Sequence, residues 1–264
     1  MKKISKLTLT FFIFGMSFLY IPIFFLMFSS FSESGIPGIW TKFSLKWFQA
    51  IFDDSELLKA AITSLNIALF SATGATVLGV LAAVTTSKKE YFIGKKFLVK
   101  TIHMPIFMPE IITGFSMLML FISIEKIMGF SIKRGMMAVS IGHIMAAMSY
   151  IHTTIKSRLL DLEKSIEEAA MNLGATPLKV FIYVTIPLIS ESIFAGWLLA
   201  FTLSLDDLVI ATFLSGPGTT TLPILIFSNI KIGITPIINA FSTLLICVIF
   251  LCLLVTHLLY RKKS

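Results

Sequence analysis

Four carboxylates lie inside otherwise apolar runs of this 264-residue chain: Glu110, Glu191, Asp206 and Asp207. A charged side chain at the centre of a membrane helix costs about 2.5 to 3.5 kcal/mol on insertion scales, so acids in such places are functional candidates by default. No Lys or Arg lies deep in the same runs to neutralise them. Two chemistries fit: attraction of a transported cation, and relay of protons. Other reactive patterns are missing. His103, His143, His152 and His257 show no ligand spacing such as His-Glu-x-x-His and read as interfacial or satisfied in packing. Gly74 and Gly79 have the glycine spacing of a phosphate-binding loop, but Val80 and Leu81 stand where Lys and Ser or Thr are needed. Cys247 and Cys252 share one apolar run and read as packed thiols.

The elements that must carry these acids are membrane helices. The chain is 56% hydrophobic and only 14% charged, with mean hydropathy +0.92, which excludes an ordinary soluble enzyme. Its net charge of +8 therefore belongs to loops beside a bilayer, and no nucleic-acid partner is expected. Six apolar runs are long enough to span: Leu7–Phe28, Ala60–Val84, Thr101–Ile124, Met136–Ile155, Ile186–Phe213 and Ile237–Leu259. The segments between them are too short for an autonomous domain, so 1–264 reads as one transmembrane domain. Lys and Arg concentrate near both termini, at Lys88 to Lys100 and in the segment 156–185, which places both termini and that long loop in the cytoplasm. The first apolar run exceeds the core of a signal peptide and reads as a retained helix.

Helical geometry orders the acids further. Ser192, Gly196, Ala200 and Ser204 repeat every four residues and form a stripe on which another helix can pack closely. Asp207 points to the centre of that stripe and so would fasten the helix or a second subunit. Asp206 lies about 100° away, nearer Glu191, so Asp206 is expected to face a pathway and Glu191 its inner mouth. A second stripe, Ser71, Ala75, Gly79 and Ala83, marks the second span as a packed helix. Pro105 and Pro109 should bend the third span and place Glu110 at a kink.

The loop 156–185 is expected to form two short helices meeting at a turn. Ser165 and Glu168 have capping-box spacing, Gly174 suits the position after a helix end, and Thr176 with Pro177 can open a second helix. Acidic residues, small Ala169 and Ala170, and apolar Met171 and Leu173 suit either a knob for a partner's groove or a helix resting on lipid.

Glu168-Ala169-Ala170, Gly174 and Val184-Thr185-Ile186-Pro187 resemble the EAA loop of ABC importer permeases, with Val184 and Ile186 as conservative departures. The run from Gly196 to Asp207 and Ser215-Gly216-Pro217-Gly218 extend the likeness to polyamine importer permeases, nearest the putrescine-type second membrane subunit. That resemblance implies an all-α membrane protein of six transmembrane helices, like a type I ABC importer permease, with a cytoplasmic coupling-helix hairpin between spans four and five. It implies a bacterial inner-membrane location and no catalysis or cofactor in this chain. ATP and Mg would be bound by a cytoplasmic ATPase dimer docked through Glu168, Ala169, Ala170 and Gly174. A second homologous permease and an extracytoplasmic polyamine-binding protein would complete the assembly in the lipid bilayer. ATP-driven movement of the hairpin would switch the cavity between outward and inward access. Two rival readings are a proton-coupled secondary transporter and the same importer architecture carrying another cargo. A missing internal repeat argues against the first, and acids without buried bases argue against an anion.

Overall fold

The structure, a computed structural model, describes residues 5–36, 38–88, 92–129, 132–233 and 235–261. Lys2, Lys3, Lys89, Lys262 and Lys263, which contribute to the charge asymmetry, lie outside the described residues, as do the side chains of Cys252 and His257. Among the described residues, twelve α-helices follow one another: α1 (Lys6–Ser30), α2 (Lys46–Asp53), α3 (Ser55–Lys88), α4 (Lys95–Phe107), α5 (Glu110–Met128), α6 (Met136–Leu160), α7 (Lys164–Asn172), α8 (Pro177–Val180), α9 (Ile186–Asp206), α10 (Val209–Leu214), α11 (Leu222–Ile232) and α12 (Pro236–Arg261). A π-helical turn, Phe181–Thr185, joins α8 to α9.

Among the described residues, four helices are long and apolar enough to cross a bilayer: α1, α3, α5 and the continuous helix Pro177–Asp206. α6 is 25 residues long but carries His143, His152, Ser140 and Ser149, which are buried and face protein rather than lipid. α12 begins at Pro236 and covers the sixth apolar run.

The chain forms two compact units, one of residues up to Leu58 with those from Ile226 onward, the other Lys59–Leu225. In the first, α12 packs against α1 and α2. None of the apolar stretch of α1 is buried within the chain, as suits a helix that is apolar all round. Thr243 Oγ1 donates to Ser30 Oγ at 3.2 Å, a polar clasp between α12 and α1. Beyond α1 the chain closes a small turn in which Trp47 Nε1 donates to the Ser32 carbonyl at 3.0 Å and Trp40 stacks on Phe28. Cys247 corrects one expectation: it is a free, exposed thiol rather than a packed one. Its run is apolar to meet lipid, not to fill a core.

In the second unit α6 is the centre, packed by α4, α9 and α10, while α10 also packs on α5. Ala75, Ala83 and Ser71 of α3 are fully buried. A β-carbon at Gly79 would come 2.7 Å from Cγ2 and 2.8 Å from Cβ of Ile151, so the expected stripe is the seam along which α3 meets α6. Gly196, Ala200 and Ser204 of α9 are buried in the same way, with Gly196 over Ile151.

Two expected spans are broken. The third is two helices rather than one kinked helix. Pro109 has no N–H for the ladder and forces the residue before it out of helical conformation, so Met108 is extended and α5 restarts at Glu110. The fifth starts earlier, at Pro177, and stops at Asp206. Asp207 is extended, and its Oδ1 accepts the Ala211 amide at 2.8 Å, opening α10 as a separate helix.

Candidate functional site

The breaks at Pro109 and Asp207 face one cavity. It has a volume of about 260 Å³ and is lined by Pro105, Met108, Pro109 and Glu110 from the first break, Ser204, Asp207 and Ile210 from the second, and His143 and Tyr150 from α6. Glu110 is the first residue of α5, where the unpaired amides of a helix N-terminus favour a negative charge. Asp207 and His143 are almost fully buried, with side chains 8% and 3% exposed. Asp207 Oδ1 lies 3.2 Å from His143 Nε2, and His143 Nδ1 lies 2.6 Å from Ser204 Oγ. A carboxylate has no hydrogen to give, so Nε2 donates; in the neutral ring Nδ1 then accepts the Ser204 hydroxyl hydrogen. One side of Asp207 is thus held by the imidazole and the α10 amide, within a cavity that a second carboxylate also lines.

Asp206 and Glu191 are exposed and do not line this cavity. The aromatic flank of α9 packs internally: Trp197 stacks on Phe201 and its Nε1 donates to Thr73 Oγ1 at 3.2 Å.

The segment 156–185 holds α7 and the turn after it. The Gly174 amide donates to Met171 O at 2.9 Å and the Ala175 amide to Ala170 O at 3.1 Å, a Schellman closure that needs Gly174 at φ +89°. Thr176 caps the next helix through Lys179 N, with Pro177 at its first position, as the spacing predicts. Two expectations are corrected. The helix begins at Lys164, with no side-chain cap, and Ser165 Oγ donates to Glu163 Oε2 at 3.4 Å instead of forming a capping box with Glu168. The second short helix is not separate: nothing breaks the chain between Pro177 and Ile186, so α8 and the π turn continue into α9. Glu168, Ala169 and Gly174 are exposed and Ala170 is half-buried. Leu173 at the tip is 90% exposed, an apolar side chain held out on a rigid turn. Behind α7 is a cavity of about 370 Å³, lined by Ser87, Leu159, Glu163, Glu167, Glu168, Met171 and Val180 among others.

Residues 75–262 match the family described as the binding-protein-dependent transport system inner membrane component. The chain belongs to this family. It is a multi-pass membrane component of a binding-protein-dependent system, and the resemblance read from Glu168 to Pro187 is borne out. Among its relatives, the putrescine transport system permease protein PotI of Escherichia coli (strain K12) is 45% identical over 232 residues, 88% of this chain and 83% of that protein. The spermidine/putrescine transport system permease protein PotC of the same strain is 34% identical over 248 residues, 94% of this chain and 91% of that protein. In fold, the permease is similar to a chain of a bacterial ABC transporter involved in the import of the acidic polysaccharide alginate. That match has a TM-score of 0.72 at 16% identity and covers 97% of this chain and 99% of that one. A chain of an amino acid ABC transporter aligns with a TM-score of 0.56 at 16% identity, covering 84% and 100%. The all-α permease fold expected from the sequence is the one these neighbours share. Chemical catalysis is not the work of this membrane component.

Two groups that the sequence did not single out stand in the permease's polar sites. His143 is 61 residues from Ser204 and 64 from Asp207, so no local pattern reveals that they meet. Glu167, beside the motif residue Glu168, accepts a hydrogen bond from Thr185 Oγ1 at 2.6 Å.

Proposed function

We propose that this chain is the permease subunit of an ATP-driven importer of polyamines, putrescine and by extension spermidine, acting as a single transmembrane domain with both termini in the cytoplasm. The observation that carries the reading is the meeting of Glu110 and Asp207 on one cavity, in a chain 45% identical to a putrescine permease. A diamine at neutral pH is an alkyl chain ended by ammonium groups. Two carboxylates set in apolar walls, with no Lys or Arg among the lining residues, complement it in charge and in surface. Asp206 and Glu191, exposed on α9, would meet the cargo only where a second permease completes the pathway.

Energy enters through partners. A cytoplasmic ATPase dimer holding ATP and Mg would engage α7 through Glu168, Ala169, Ala170 and the Gly174 turn, and an external binding protein would deliver cargo. Closing of the ATPases would move the hairpin and, through the continuous helix Pro177–Asp206, the wall of the cavity that carries Ser204.

Reconstitution with the cognate sister permease, ATPase and binding protein tests this, with labelled putrescine in excess ATP. Uptake should require ATP and persist when the proton gradient is collapsed. Uptake that follows the proton gradient and ignores ATP would instead support a secondary transporter.

A further inference from the structure

We propose that Glu167 is the positioning residue that ties the coupling helix α7 to the root of the fifth span, and that the π turn Phe181–Thr185 is the joint it grips. Thr185 is fully buried, the last residue of the π turn, and its hydroxyl donates to Glu167 Oε1 at 2.6 Å. A hydrogen bond to a carboxylate is stronger than one between neutral groups. The tie spans a place where α7 stands off its surroundings, since Glu167 is on the wall of the 370 Å³ cavity beneath that helix.

The joint has a local cause. Pro187 follows the π turn, and a proline ring clashes with the carbonyl four residues before it, here that of Tyr183. Widening the preceding turn relieves that contact, and the Ile186 amide donates to Phe181 O, five residues back, in place of the usual four. The helix from Pro177 to Asp206 is therefore continuous but has one turn of altered pitch, and that turn carries Thr185. A push on α7 reaches α9 through Glu167 at this turn as well as through the backbone of the Gly174 turn.

This rests on the importer reading, and the experiment separates the two. In the full reconstituted complex, with Cys247 and Cys252 replaced by serine, spin labels at Asn172→Cys and Ser190→Cys report the distance from α7 to α9 by pulsed electron resonance, without nucleotide and with ATP and vanadate. The unsubstituted residue and Glu167→Gln, whose side-chain oxygen still accepts from Thr185, should give one narrow distribution in both states. Glu167→Ala and Thr185→Val should broaden it. Cargo moved per ATP hydrolysed should fall about tenfold in both, the change expected when about 1.4 kcal/mol of coupling is lost, while the ATPase still co-purifies. An unchanged distribution in Glu167→Ala, or an unchanged ratio of cargo to ATP, overturns the proposal. If the complex with Glu167 intact carries no polyamine, the cargo reading fails and the distances still decide the role of Glu167.

Discussion

His143 Nε2 lies 3.2 Å from Oδ1 of Asp207, the same oxygen that accepts the Ala211 amide at 2.8 Å. One carboxylate oxygen thereby joins α6 to the start of α10, and it does so at the wall of the cavity that Glu110 lines. Structure and charge can be separated at this residue because an amide keeps the acceptor and loses the charge.

Asp207→Asn should therefore fold and assemble with nearly normal thermal stability in detergent, while putrescine uptake falls at least about tenfold through a higher KM, the cost of roughly 1.4 kcal/mol of cation binding. Asp207→Ala should also lose the cap, about 1 kcal/mol, and leave the imidazole donor unpaired in a buried place, about 1 to 3 kcal/mol. Equal uptake in Asp207→Asn and the parent would make Asp207 a structural clasp alone.

Glu110→Gln and Asp206→Asn form a direct contrast. Both carboxylates are exposed, but the first lines the cavity and the second does not. Uptake kinetics should show the larger rise in KM for Glu110→Gln. A larger rise for Asp206→Asn would move the cargo path to the exposed face of α9.

Gly79→Ala should lower the melting temperature of the purified permease. The added carbon falls 2.7 and 2.8 Å from two atoms of Ile151 close to its backbone, and 3.3 Å from the His152 amide, so the α3–α6 seam must open. Overpacking of this kind costs about 1 to 3 kcal/mol. Gly15→Ala, where nothing lies within 4 Å, is the control and should not lower the melting temperature.

Glu168→Lys should abolish co-purification of the ATPase without affecting membrane insertion, because Glu168 is exposed on α7 and its side chain makes no hydrogen bond among the described residues. Gly174→Ala should weaken coupling more mildly. A β-carbon at φ +89° costs about 1 to 2 kcal/mol and loosens the turn that holds Leu173 outward. Normal ATPase capture and uptake by Glu168→Lys would remove the docking role.

The spans, the packing stripes and the Gly174–Thr176 turn were legible because each follows from residues close in sequence: apolar runs, four-residue spacing, a glycine and a cap. The Ser71 to Ala83 stripe names its own face, and α6 lies on it. The breaks at Met108 and Asp207 were harder. A proline inside an apolar run can bend a helix or end it, and which occurs depends on whether neighbours accept the freed backbone groups; here Pro109 caps a new helix. An aspartate can point along a helix or turn back to cap the next one, and Asp207 turns back because the Ala211 amide and His143 reward it. Periodicity places Asp207 on the Ser204 side of α9, yet the partner on that side comes from α6 and has no signature near residue 207. Glu167 was overshadowed by its motif neighbour for the same reason: Thr185 is 18 residues away.

The wide turn at Phe181–Thr185 also sets the phase of the helix. A π turn takes up one extra residue in a widened turn, so every later side chain stands about 100° behind the place that regular α-helical counting assigns it. The hairpin end and the membrane end of the helix Pro177–Asp206 therefore keep separate angular registers, and a pattern read from one end misplaces faces at the other. Removing a single residue between Phe181 and Thr185 would therefore return the turn to α-helical pitch without swinging the later side chains. The five-residue stretch is where this helix can lose a residue and still present Ser204 to His143, whereas a deletion between Ile186 and Ser204 would rotate that face by about 100°.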